Sequence, residues 1–394
     1  MLIFSTFALN GWAQDEYILN EDFSEYPSNN PNLSEFHNWK VKGCTQGMNG
    51  NWSNYALKVE NYKNGNKTEI GYAITPALSY AGDVRLSFNY ARGSTQRNSI
   101  IDITIQNSGT FEDGLITNSI PVTDGSQATF YSKSYNILNT TEATTIMFSE
   151  HETNNTFAID NVKVTKIPVI SLTESDNNNN DKTIEDNDEN VVMVEMSRTL
   201  TGGIWNTLCL PFDVTMDDMK LALGEGQDIK MRTFSSYADK VMTFAEATAV
   251  SAGTPFLIKL STTVVNPTFH AVTVKNTTAQ TVTSNGVSFV GTYSPVPLNI
   301  NGTNLFITKN NTLALPAEGM NIMNGLRAYI VVPEDFDSSG ARLMMDDGET
   351  TAVSELVPST ERTHPEATYN LKGQRVKNSR RGLYVINDKL TLVK

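Results

Sequence analysis

The sequence predicts an all-β protein, with an N-terminal jelly-roll sandwich, a second β-rich sandwich carrying one short helix, and a small C-terminal β module. Three observations carry that expectation. Apolar and polar residues alternate with period two along many short stretches, clusters of Gly, Asn and Asp punctuate them, and a single segment has helix grammar.

The elements follow in order. Leu2 to Leu9 is a short apolar run, and Gly11-Trp12-Ala13 after it is a small-x-small signature, so residues 1–14 read as a signal peptide. The run is too short to cross a bilayer, and no later segment is long enough. From residue 15 to 168 the alternating stretches include Val84 to Tyr90, Ile101 to Gln106, Thr145 to Phe148 and Val162 to Val164, with turns at Asn64-Gly65-Asn66 and Asp124-Gly125-Ser126. Short strands with one wet face and no intervening helices predict two packed antiparallel sheets. Residues 169–190 turn acidic and Asn-rich, and this composition predicts a solvated linker.

Residues 191–347 make the second domain. Trp205 to Phe212 is nearly all apolar and ends in Pro-Phe, as a strand buried on both faces would. Thr215 to Gly224 reads as the helix, with Thr215 as N-cap, Asp218 at the third position and Gly224 as the stop. Ala252 to Lys259, Val287 to Tyr293 and Leu326 to Val332 read as strands. A linker at 348–366 precedes the terminal module at 367–394, where Tyr369 to Val376 and the hairpin Gly382 to Val393 turn at Lys372-Gly373 and Asn387-Asp388.

Composition narrows the function. The 394 residues carry a formal net charge of −13, which argues against nucleic-acid partners because these need a basic footprint. Cys44 and Cys209 fall in different domains and predict no disulfide framework, and His37, His151, His270 and His364 show no metal-ligand spacing. No Gly-x-Ser-x-Gly elbow, phosphate loop or His-Glu zinc motif is present. The adjacent Asp217 and Asp218 open the helix, where negative charge suits the dipole. An acid pair for glycoside hydrolysis depends on the fold, and sequence leaves it open.

Aromatic residues carry the better signal. Trp39, Trp52 and Tyr55 border a Gly- and Asn-rich segment, and Tyr90 leads into Arg92 and Arg97. Rings offer stacking faces to sugar C–H groups, while amides and guanidinium groups meet the hydroxyls. Trp39, Trp52, Tyr55, Tyr90 and Arg92 are the candidate ligand contacts. Against this stands packing of Trp39 in the core and of Trp52 or Tyr55 over a sheet edge.

Three segments carry a family resemblance. Asn20-Glu21-Asp22-Phe23, Ile74-Thr75-Pro76-Ala77-Leu78 and Phe157-Ala158-Ile159-Asp160-Asn161-Val162-Lys163-Val164 resemble the jelly-roll modules of Bacteroidetes surface proteins, the cleaved-adhesin and choice-of-anchor J group, related to galactose-binding-like carbohydrate modules. The resemblance implies that the first and last strands lie side by side, with Glu21, Asp22 and Asp160 as an oxygen cluster for a structural calcium ion. The alternative is that Asp160 caps a local turn. Trp205 to Phe212, Ala252 to Lys259 and Gly325 to Val332 resemble a module of large surface proteins for which no activity is implied. The terminal module resembles the tails read by the type IX secretion route. Together these imply an exported, non-catalytic protein at the cell surface or outside the cell, with no membrane span, binding a carbohydrate or glycoprotein. The rivals are a scaffold that binds other proteins and a glycoside hydrolase.

Overall fold

The computed structural model describes residues 17–27, 33–47, 56–93, 99–122, 129–153, 156–175, 179–308, 312–337, 341–345, 350–352, 368–370, 375–376, 382–386 and 389–393. The chain forms two compact units. Unit 1 comprises residues 1–171, Asn190–Glu195 and Thr268–Thr273, and unit 2 the remainder. Unit 1 thus takes in two segments expected in the second domain, because Val169–Thr173, Val191–Ser197 and Thr268–Thr273 form one three-stranded sheet.

Unit 1 is all-β, as expected. Its strands are β1 (Tyr17–Glu21), β2 (Glu35–Phe36), β3 (Trp39–Lys42), β4 (Cys44–Gly47), β5 (Ala56–Glu60), β6 (Tyr62–Asn64), β7 (Lys67–Glu69), β8 (Tyr72–Ile74), β9 (Gly82–Arg92), β10 (Ser99–Gln106), β11 (Thr110–Phe111), β12 (Thr117–Val122), β13 (Tyr131–Thr140), β14 (Thr145–Glu150) and β15 (Thr156–Lys166). One sheet runs β11-β13-β9-β15-β5-β4, with β1 also paired to β15; the other runs β12-β10-β14-β8-β3-β2. The pairings within both sheets are antiparallel, and non-consecutive neighbours make this a jelly roll.

Alternation drives the packing. On β10, Ile101, Ile103 and Ile105 are buried while the residues between them face outward. They meet Leu86, Phe88, Ile159 and Val164 from the facing sheet in one core. Each such side chain contributes about 1.5–3 kcal/mol by leaving water. Gly43 is required where β3 passes to β4: its φ is 62° and a Cβ would lie 2.0 Å from the Glu60 carbonyl oxygen.

Unit 2 is also a sandwich. Its six-stranded sheet has the order Trp205–Leu208, Phe256–Leu260, Ile229–Ala238, Val241–Ala247, Arg342–Met345, Thr350–Ala352. A five-stranded sheet orders Thr281–Ser284, Val287–Thr292, Arg327–Val331, Asn304–Ile307, Leu313–Ala314. Trp205, Phe244 and Leu257 from the first pack with Phe289, Leu305 and Ile330 from the second. The strand expected over Trp205 to Phe212 ends at Leu208, yet Cys209, Leu210 and Phe212 stay buried. Helix Met216–Leu223 has the expected capping box between Thr215 and Asp218 and ends at Gly224, whose φ is 112°.

The acidic segment departs from its expectation. It contains helix Asn180–Asp186, with Asn179 as N-cap, and Asn180 and Ile184 are buried. Asn180 spends its amide on the Thr173 carbonyl at 2.8 Å and the Tyr293 carbonyl at 2.6 Å, so a polar residue anchors the segment. The terminal residues form a four-stranded sheet of Arg375–Val376, Thr368–Asn370, Gly382–Ile386 and Lys389–Val393. Residues 1–14, expected as a signal peptide, and most of the expected linker at 348–366 lie outside the described residues.

Candidate functional site

The predicted ligand contacts separate into three groups. Trp52 and Tyr55 lie outside the described residues. Trp39 is fully buried on β3, edge-on to Phe23 at 5.1 Å and stacked on Phe148 at 6.4 Å. It holds the core and has no face to offer a sugar, which corrects its assignment as a contact. Tyr90 and Arg92 are both half-buried on β9, two residues apart and so on the same face of the strand. Arg92 closes the strand opposite Phe157.

Tyr90 leads to residues that sequence reading missed. Across the β9–β13 ladder it pairs with Tyr131, and the two rings lie 5.7 Å apart. Tyr135, four residues along β13, is half-buried against Phe111 at 5.0 Å. Burial, then Tyr90, then Asp113 hold the Tyr135 phenol above its ordinary value, so it stays neutral at physiological pH. Tyr131, Tyr90 and Tyr135 therefore form one aromatic strip. Period-two spacing of Tyr131 and Tyr135 was the available signal.

The strip ends in a groove of about 340 Å³. Tyr135 lines it above the buried Phe111, Glu112, Asp113, Asn118 and Lys133 add polar groups, and Arg85 and Asn136, paired across the β9–β13 ladder, reach it from the opposite face of the sheet. Glu112 accepts a hydrogen bond from the Asn136 amide at 2.8 Å, which fixes both side chains. Lys133 reaches back over the Tyr135 ring at 4.9 Å. A ring beside a carboxylate and an amide fixed on each other, with a guanidinium nearby, suits a ligand rich in hydroxyls with an apolar face.

The predicted calcium residues also come near one another. Strand β1 lies beside β15 with Glu21 opposite Val162, and both Glu21 and Asp160 are buried. Each carboxylate has a partner within the chain. Glu21 accepts from the Phe23 N–H at 2.8 Å and meets His37 Nδ1 at 3.0 Å. Asp22 accepts from the Ser24 N–H at 2.9 Å, which lowers its pKa. Asp160 takes the Asn161 N–H at 2.7 Å on one oxygen and the Asn161 amide at 3.0 Å on the other. Burial raises Asp160 to about 6, the Asn161 bond opposes this, and Asp22 adds to it. Calcium takes roughly six to eight oxygens. Among the described residues no group of three or more His, Cys, Asp or Glu is placed to hold a metal ion.

One cluster has the residue types of a catalytic relay without its order. Asp102 lies between Ser119, whose hydroxyl donates to it at 2.6 Å, and His151, whose Nδ1 is 3.0 Å away. A nucleophile needs the histidine as its own base, whereas here the carboxylate takes that position. Asp217 and Asp218 serve the helix start: Asp218 closes the capping box and Asp217 pairs with Lys220 at 3.2 Å.

No protein-family description matches the chain, and no curated protein does. Solved structures do. The K3 cleaved adhesin domain of Lys-gingipain from Porphyromonas gingivalis w83 is 17% identical, covering 39% of this chain and 99% of that one with a TM-score of 0.29. The CBM22-1 xylan-binding domain of Xyn10C from Paenibacillus barcinonensis is 9% identical, covering 38% and 94%, with a TM-score of 0.25. TmCBM61, solved with β-1,4-galactotriose, is 14% identical, covering 37% and 98%, with a TM-score of 0.24. At such identities and TM-scores the reading of the site rests on this chain's own geometry.

Proposed function

We propose that unit 1 is a non-catalytic module of an exported protein and binds a carbohydrate chain, free or on a glycoprotein. The observation that supports this is the strip Tyr131, Tyr90 and Tyr135, whose last ring lines a groove that also reaches Arg85, Glu112, Asn118 and Asn136. Sugar rings stack on the phenols, and the polar groups of the groove take the hydroxyls. A shallow, half-buried strip offers little area per ring, so affinity is modest and comes from several contacts in a row. The apolar run at Leu2 to Leu9 and the terminal β module support export to the cell surface or beyond.

Calorimetry of the full chain against a panel of soluble polysaccharides tests the reading. Binding is expected to at least one, weakened about 2- to 10-fold by Tyr135→Ala and by Tyr90→Ala. Retained protein binding with no polysaccharide response would favour the scaffold reading, and release of sugar from the panel would make the protein a hydrolase.

A further inference from the structure

We propose that unit 2 carries a second and separate saccharide site, in the cleft beside Tyr329, suited to neutral sugars. The cleft holds about 390 Å³, within the range of roughly 300–1,000 Å³ usual for small-ligand sites. Its floor is the five-stranded sheet, where Tyr329 pairs with Val290, and the half-buried Tyr329 ring forms one wall. The exposed Asn276 and Thr277 and the first-turn Asp181 of helix Asn180–Asp186 form its rim.

Two observations point to a hydroxyl-bearing ligand. Ser294 lines the cleft, and its hydroxyl is buried with no hydrogen-bond partner, a group that a ligand would satisfy. Tyr293 is buried with its hydroxyl 3.5 Å from the Thr277 hydroxyl, a long contact that leaves both groups capacity for another partner. Burial raises the Tyr293 phenol to about 12, so it remains a donor across the physiological range. Among the described residues that line the cleft none is Lys, Arg or His, which disfavours phosphates and acidic ligands. The many hydroxyls disfavour a wholly apolar one. A neutral sugar matches what remains, with a ring to stack on, an amide and a carboxylate at the rim, and hydroxyl donors at the floor.

The site does not depend on the reading of unit 1, and the test separates them. The full chain is titrated calorimetrically with neutral gluco-, xylo-, manno- and galacto-oligosaccharides, as wild type, Tyr135→Ala, Tyr329→Ala and the double variant, with Tm checked for each. Asn276→Ala, at an exposed rim position, serves if Tyr329→Ala fails to fold. The expected result is binding that survives Tyr135→Ala and falls at least fivefold when Tyr329→Ala or Asn276→Ala is added. Loss of all binding in Tyr135→Ala, or residual binding indifferent to both unit 2 substitutions, would overturn the inference and leave unit 1 standing. Binding abolished by Tyr329→Ala but untouched by Tyr135→Ala would support it and overturn the unit 1 reading. A wild-type chain that binds none of these sugars overturns both.

Discussion

Asp160 gives both carboxylate oxygens to the residue that follows it, taking the Asn161 N–H at 2.7 Å and the Asn161 side-chain amide at 3.0 Å. Asn161 holds φ at 49°, and the β15 register shifts between Asp160 and Lys163. Asn tolerates this left-handed conformation better than most residues. The bonds only partly offset burial, and the carboxyl titrates near 6 against 3.8 for the unperturbed group. Because the folded pKa is the higher one, the native state keeps the proton longer. Stability from this group is greatest below about pH 4, falls between about 4 and 6, and carries the full penalty above. Asp160→Asn is therefore expected to raise Tm at pH 8 relative to wild type, by an effect of order 1–3 kcal/mol, and to be nearly neutral at pH 4. Thermal unfolding of both proteins across pH checks it; equal Tm differences at the two ends would refute the assignment.

The same corner holds the residues that the resemblance assigns to calcium. Glu21, Asp22 and Asp160 each accept hydrogen bonds within the chain, from Phe23, Ser24 and Asn161, and Glu21 also meets His37, so an ion there would share these oxygens with groups already in place. With protein groups already bonded to these carboxylates, EGTA is expected to leave Tm unchanged at pH 7. A fall of several degrees on chelation, reversed by added calcium and absent from Asp160→Ala, would instead establish the metal.

Glu150 offers an independent pH response. It is fully buried at the end of β14, accepts from the Gly71 N–H at 2.8 Å, and has one oxygen without a partner. Burial lifts it to about 7, the bonds from Gly71 and Asn61 opposing and Glu60 adding. Its contribution to stability is greatest below about pH 4.5 and is lost as pH rises to about 7. Glu150→Gln should thus flatten the decline of Tm between pH 5 and 8. A decline as steep as that of wild type would show that Glu150 does not titrate in this window.

Legibility in the sequence followed the range of the interactions. Helix Met216–Leu223 was readable because a capping box is local: Thr215 and Asp218 bond each other across three residues. Strands such as β10 were readable because burial on one face writes period two into the chain. Helix Asn180–Asp186 was not, since a run with Ile184 as its one large apolar residue looks solvated until Asn180 finds a carbonyl at Tyr293, 113 residues away. The tyrosine strip was half readable. Tyr90 stood out beside Arg92, but its neighbour Tyr131 depends on the register of β9 against β13, which no local pattern specifies.

Arg198 shows how much a distant partner can matter, and it yields the largest predicted effect. Its side chain is fully buried in unit 2, with one terminal nitrogen donating to the Leu326 carbonyl at 2.5 Å and Nε 3.5 Å from Glu174. The same Glu174 oxygen accepts from Arg327 at 2.9 and 2.5 Å, so two guanidinium groups share one carboxylate. Burial first, then repulsion from Arg327, push the Arg198 pKa well down, and Glu174 opposes both. Removing the carboxylate charge leaves a buried cation uncompensated, and such losses cost about 3–5 kcal/mol. Glu174→Gln should lower the Tm of unit 2 strongly at pH 7. Arg198→Met in the same chain should recover most of the loss, because an apolar chain of similar length needs no counter-ion. If the double variant is no more stable than Glu174→Gln alone, the cost arises from the lost Glu174–Arg327 ion pair and not from the stranded charge.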